Sequence, residues 1–115
     1  MVWTLDARIP LTVVTSPGDL AARLAAGPPA AVLGGRGGVA QAAFDIASPH
    51  QPGCSCCAGR SSAALALDLL FQARVRGQVP WFDRVLALAE DAAAQDAVAQ
   101  ALQSDALTAA RYRPG

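Results

Sequence analysis

The chain has 115 residues, 53% hydrophobic and 16% charged, a composition typical of a single compact domain over residues 1–115 rather than a disordered segment. Nine basic residues balance nine acidic ones, which argues against the broad positive surface of a nucleic-acid-binding protein. Every basic residue is Arg, and the absence of Lys excludes mechanisms that need a lysine amine.

No segment carries the roughly 20 consecutive apolar residues that span a bilayer. Met1–Pro10 lacks the continuous apolar core of a signal peptide. We therefore expect a cytoplasmic protein with no membrane partner. In that reducing compartment, clustered cysteines are more typical of metal ligands or redox thiols than of a structural disulfide framework.

The first third of the chain predicts a strand, a helix and a second strand. Pro10–Thr15 is a β-branched run that suits a strand buried on both faces, and the turn Ser16–Gly18 follows it. Asp19 is placed to cap a short helix that stops at Gly27, before two prolines. Ala30–Leu33 is the second strand.

A glycine-rich turn and a long helix follow. Gly34–Gly38 predicts a flexible turn, and little regular structure is expected from there to Arg60. Ser61 or Ser62 then caps a helix that runs to about Arg76. Two adjacent rows of side chains are expected to form its apolar face: Leu65, Leu69 and Ala73, and beside them Leu67, Phe71 and Val75.

The last third predicts a strand and a helix. Phe82–Ala89 forms the third strand, and Asp91 or Asp96 begins an Ala-rich helix that carries Val98 and Leu102 toward the core.

The alternation of strands and helices predicts an α/β fold in which helices cover a short, mostly parallel sheet of three or four strands, giving a small three-layer domain. Tyr112–Gly115 is interpreted as a tail. A sheet this small leaves an edge uncovered, and an uncovered edge is a template for another strand. We therefore expect a homodimer or a protein partner at that edge.

The strongest chemical signal is a run of three thiols in four residues, Cys54, Cys56 and Cys57, just ahead of the long helix. The positive end of the helix dipole and Arg60 both favour thiolate, the form that binds metal. Three sulfurs are one ligand short of a tetrahedral site. His50, a water or a second subunit could supply the fourth ligand. Thiolates select Zn²⁺, Co²⁺, Ni²⁺ or Cu⁺ over Mg²⁺ and Ca²⁺.

Two other interpretations of the cysteines stay open. Cys54 and Cys57 could form a reversible disulfide or act as redox-sensing thiols. The three residues could also be small buried side chains that happen to lie close together in sequence.

Two further patterns carry weaker signals. Gly34–Gly38 could cradle a phosphate through its backbone N–H groups, but a Walker loop needs a Lys that the chain lacks, so a turn is preferred. Asp83, Glu90 and Asp91 flank the third strand, where carboxylates can bind Mg²⁺ or act as bases. Solvated or capping roles are preferred for them.

With these elements placed, the chain resembles the CobW-type metal-chaperone GTPases, which include cobalamin-synthesis, hydrogenase- and urease-maturation relatives. Gly53–Cys57 matches the Gly-Cys-x-Cys-Cys metal motif of that family. Ile9–Thr15 looks like its first strand, and Phe82–Leu86 with Val98–Leu102 fits its third strand and following helix. The resemblance implies a fold like the front half of a P-loop GTPase.

The departures from that family concern nucleotide handling. Ser16–Asp19 replaces the Gly-x-x-Gly-x-Gly-Lys-Thr phosphate loop, Gly34–Gly37 replaces Asn-Glu-Phe/Tyr-Gly, and Leu88–Asp91 replaces the switch segment Glu-Thr-Ser/Thr-Gly. The guanine-reading motif and the C-terminal domain are missing. The resemblance therefore implies a truncated, degenerate member that binds no nucleotide and is not an enzyme.

Together, the residues and the resemblance predict a protein that binds metal, with zinc favoured, through Cys54, Cys56 and Cys57, with His50 as the candidate fourth ligand. Its role would lie in metal handling or as a partner or regulatory module. The alternative function is that of a cytoplasmic thiol redox or redox-sensing protein.

Overall fold

The computed structural model describes residues 7–44 and 61–115. Their elements, in chain order, are β1 (Ile9–Val14), α1 (Pro17–Ala25), β2 (Ala30–Leu33), β3 (Ala40–Ala42), α2 (Ser62–Val75), β4 (Arg84–Leu88), α3 (Ala92–Ser104), α4 (Ala106–Arg111) and β5 (Tyr112–Pro114). The predicted α/β class is confirmed.

The strands of the described residues form one sheet in the order β3-β2-β4-β1-β5, and every neighbouring pair is parallel. β4 lies in the middle, with Leu86 opposite Thr12 of β1 on one side and opposite Val32 of β2 on the other. Because the strands are parallel, their carboxyl ends lie at one edge of the sheet, which we call the carboxyl edge.

The sheet has five strands rather than the three or four that were predicted. β3 was missed because Ala40–Ala42 has little intrinsic preference for a strand and is ordered by pairing with β2. The interpretation of Tyr112–Gly115 as a tail is wrong. Tyr112 pairs with Ile9 of β1 and is 1% exposed, so burial and pairing at the far end of the chain hold this segment in place.

The two faces of the sheet are covered unequally. α2 and α3 pack on one face over the larger core cluster, where Leu67, Phe82, Val85 and Val98 are fully buried. α1 packs on the opposite face over a smaller cluster that contains Val14, Leu20, Val32 and Leu86. Val98 faces the core, as predicted. The helix layer on the α1 face, the third layer of the predicted architecture, consists of this single nine-residue helix.

The start of α1 lies earlier than predicted. Ser16, not Asp19, is the N-cap, and its Oγ accepts a hydrogen bond from the Asp19 N–H at 3.1 Å. At the other end, Arg84 of β4 donates from Nη2 to the carbonyls of Arg23 and Ala26, at 2.8 and 2.7 Å. These bonds satisfy carbonyls that the helix end leaves unpaired and tie α1 to the sheet.

The predicted apolar face of α2 is wrong in part. Leu67 is fully buried, but Leu69 is 65% exposed and Val75 is 55% exposed. The buried face is instead formed by small and large apolar side chains together: Ala63, Ala64, Ala66, Leu67 and Leu70. Because apolar residues surround this helix on nearly every side, their spacing does not determine which side faces the core.

The boundaries of the last two long helices follow from their caps. Ser61 caps α2 and Asp91 caps α3, in each case the first of the two predicted candidates. Asp105 ends α3 and also caps the short helix α4, which was not predicted; its Oδ1 accepts from the Thr108 N–H at 3.0 Å. No helix in the described ranges, 7–44 and 61–115, is both long and apolar enough to cross a membrane.

Candidate metal-binding segment and its surroundings

The predicted metal ligands Cys54, Cys56, Cys57 and His50 lie outside the described residues, so their prediction stays a prediction. The described residues on either side of their segment are Phe44, which follows β3, and Ser61, the cap of α2. Both points belong to the carboxyl edge, where open α/β sheets bind their ligands.

The amino end of α2 is the described part of the protein nearest in sequence to the cysteines. Ser61 Oγ accepts a hydrogen bond from the Ala64 N–H at 3.2 Å, and the helix extends over 14 residues without an acidic residue in its first turn. The positive end of its dipole is therefore not neutralised by a carboxylate of that turn. In sequence, this helix end stands four residues after Cys57.

The glycine-rich turn is explained by packing. Gly34 and Gly38 have φ of +80° and +69°, which L side chains rarely adopt, and a Cβ on Gly38 would collide with the carbonyl of Ala30. The backbone N–H of Gly34 donates to the Ala42 carbonyl at 2.8 Å. Directly after the turn, the Val39 N–H donates to the carbonyl of Ala30 at 2.9 Å. Within the turn, the N–H of Gly34 therefore serves the sheet and that of Gly37 donates to Gln41 Oε1 at 3.2 Å, so the alternative of a phosphate cradle loses support.

The three carboxylates near the third predicted strand are not brought together. Asp83 precedes the five-residue strand β4, whereas Glu90 and Asp91 follow it, so about 17 Å of strand separates the two positions. Asp91 Oδ1 accepts from the Ala94 N–H at 2.8 Å, which is a capping role. Within residues 7–44 and 61–115, no group of three or more His, Cys, Asp or Glu residues could hold a metal ion.

A cleft of about 450 Å³ opens at the carboxyl edge between α1 and the glycine-rich turn. Leu20, Leu24 and Leu88 supply apolar walls, and Arg36 is its charged lining residue. The cleft was not predicted, because its walls come from three elements that are distant in sequence. A single exposed guanidinium beside leucine side chains provides no acid, base or nucleophile.

Tyr112 and the neighbouring Arg111 are engaged in structural contacts with α2. Tyr112 donates from its hydroxyl to the carbonyl of Leu67 at 2.7 Å, and burial raises the pKa of Tyr112 above its ordinary value. Arg111 forms an ion pair with Asp68 and lies 4.3 Å above the Phe71 ring. These contacts join α2 to α4 and β5, so they stabilise the fold.

Arg74 has a similar role at the opposite end of α2. Its guanidinium lies 3.4 Å from the centre of the Trp81 ring, and its Nε donates to the carbonyl of Phe82 at 2.8 Å. Burial lowers the pKa of Arg74 from its ordinary value, while Asp83 opposes that shift. The cation holds the loop before β4 against the helix.

Comparisons of the chain with protein families, with curated proteins and with solved structures gave no match.

Proposed function

We propose that this protein binds a thiophilic metal ion, with zinc favoured, through Cys54, Cys56 and Cys57, with His50 as the fourth ligand. The observation that carries the proposal is the spacing Gly-Cys-Ser-Cys-Cys, which puts three thiols within four residues. Three thiolates and one imidazole form a donor set that suits tetrahedral zinc, and Co²⁺, Ni²⁺ and Cu⁺ accept the same ligands.

The attachment of the segment supports this proposal. Phe44 and Ser61 join it to two elements that meet at the carboxyl edge, and the capped amino end of α2 favours a negative charge nearby. A reduced state is needed for the thiolates to bind metal, so we propose the cytoplasm as the location. The protein would act in metal handling or as a partner or regulatory module.

We further propose that the protein is a non-hydrolysing relative of the CobW-type GTPases. Only Thr15 and Ser16 separate β1 from α1, whereas the phosphate loop of those enzymes is an eight-residue motif that includes a Lys. The short turn and the absence of Lys support a protein that neither binds nor hydrolyses nucleotide.

Metal analysis of the purified, untagged protein tests the metal site. We expect close to one zinc ion per chain, and we expect the Cys56→Ser/Cys57→Ser double variant to lose it, because the site would keep a single thiolate. Ser55→Ala is the matched control, since it changes the same segment without removing a sulfur. His50→Ala should weaken zinc binding at least tenfold if the imidazole is a ligand.

Two outcomes would contradict the metal site. One is a protein that purifies and stays metal-free with three reduced thiols after zinc is offered. The other is a Cys54–Cys57 disulfide that forms reversibly under mild oxidant in a protein without metal, which would support the redox alternative. Thiol titration and mass spectrometry of the same sample distinguish the two.

A further inference from the structure

The two edges of the described sheet differ in their ability to accept another strand. At the β5 edge, Pro114 has no backbone N–H to donate. At the β3 edge, the carbonyl of Ala42 accepts a hydrogen bond from the Gly34 N–H and so points inward, toward β2. Because N–H and C=O groups alternate in direction along a strand, those of Gln41 point outward, away from β2.

The β3 edge also lacks the charges that usually protect an edge strand. Residues 37–44 contain no charged side chain and no proline. Beside the strand, a groove of about 390 Å³ separates β3 from α2. Leu69, which is 65% exposed, and Ala73 form its helix wall, while Ala43 lies at its strand wall.

We propose that the β3 edge and this groove form an interface with a second copy of the chain. A two-fold axis perpendicular to the sheet would pair β3 antiparallel with its own copy and would direct Leu69 of each copy toward the other copy's α2. Such an interface is self-complementary. An uncharged surface can meet itself without like-charge repulsion, which is what this arrangement requires.

The small size of this surface limits the stability of the dimer. β3 has only three residues and offers few backbone hydrogen bonds, so the dimer is a weak one that forms as concentration rises. Its strands are antiparallel, so the carboxyl ends of the two β3 strands point in opposite directions. The proposed interface consists of β3 and α2 alone, so we expect the dimer to form with and without bound metal.

Sedimentation analysis of the full chain over a hundredfold concentration range tests the interface. We expect the mass to rise from monomer to dimer, with and without a chelator. Leu69→Arg should weaken dimerisation at least tenfold because it places a cation on both sides of the axis, and Ala43→Lys should weaken it as well. Leu107→Arg is the matched control, because Leu107 is also exposed, at 46%, but lies on α4.

A second measurement keeps the test independent of folding defects. Hydrogen exchange of the wild-type protein should slow at the Gln41 amide as concentration rises, while the Leu107 amide should not respond. A strict monomer over the whole range overturns the proposal. So does equal weakening by the two Leu→Arg substitutions, or a dimer that chelator abolishes, since that last result would indicate a metal bridge.

Discussion

Replacing Leu67 or Leu69 by Ala tests which side of α2 faces the core. Leu67 is 0% exposed, so Leu67→Ala removes a fully buried side chain and leaves a cavity, at a cost of about 3 kcal/mol. Leu69 is 65% exposed, so Leu69→Ala gives up only a small part of that burial, about 0.5 kcal/mol. The expected difference of about 2 kcal/mol or more is roughly thirtyfold in the folded-to-unfolded ratio.

Urea unfolding of the two variants, at a protein concentration low enough to keep the chain monomeric, measures this difference. The same substitution on the same helix, two residues apart, makes each variant the control of the other. Equal losses of unfolding free energy, or a larger loss for Leu69→Ala, would mean that α2 is rotated about its axis relative to the structure, and the assignment of its buried face would be wrong.

Two further stability predictions follow from single contacts. Tyr112→Phe should cost about 1 kcal/mol at neutral pH, because the carbonyl of Leu67 loses its phenolic donor. Burial raises the pKa of Tyr112, so the folded state holds its proton more tightly than the unfolded chain does. The wild-type protein should therefore lose stability as pH rises above about 10. Over the same pH range, the Tyr112→Phe variant should lose less stability. Denaturant midpoints measured at several pH values check both expectations. Gly38→Ala should destabilise by at least about 1 kcal/mol more than Gly77→Ala in the same assay. Both glycines have positive φ, but a Cβ would strike the carbonyl of Ala30 only at Gly38. Equal losses of unfolding free energy at the two glycines would show that the positive φ alone, and not the contact with the Ala30 carbonyl, causes the destabilisation.

The parts of the fold with strong local signals were predictable. Ala30–Leu33 is a short apolar run closed by Gly34, and the structure has a strand with those bounds. Ser61 and Asp91 are followed by helix-forming sequences, and both are caps. In these cases the residues that determine the element lie within it or beside it, so a pattern read along the chain contains the needed information.

The parts that were missed depend on residues far away in sequence. Tyr112 belongs to a strand because Ile9, about a hundred residues earlier, pairs with it and because its hydroxyl reaches Leu67. The N-cap of α1 is the exception, because its signal is local: Pro17 suits the first helical position, which makes Ser16 the cap rather than Asp19.

The candidate metal site was predictable only at the level of chemistry. Thiol spacing indicates which atoms could bind an ion, but the approach of His50 to the cysteines depends on backbone conformation, which spacing does not determine. The β3 edge was foreseen in general terms, as an uncovered edge of a small sheet. Its location was not, because β3 itself was missed.

The central position of β4 has a consequence for the order of folding. β1 and β2 are consecutive strands, yet they are separated in the sheet by β4, which joins about seventy residues after β1 ends. Until β4 inserts, there is a gap between β1 and β2. These two strands therefore cannot form a continuous sheet on their own. Closing so long a loop before any pairing of β1 is entropically costly. Residues of β4 should therefore be structured in the folding transition state.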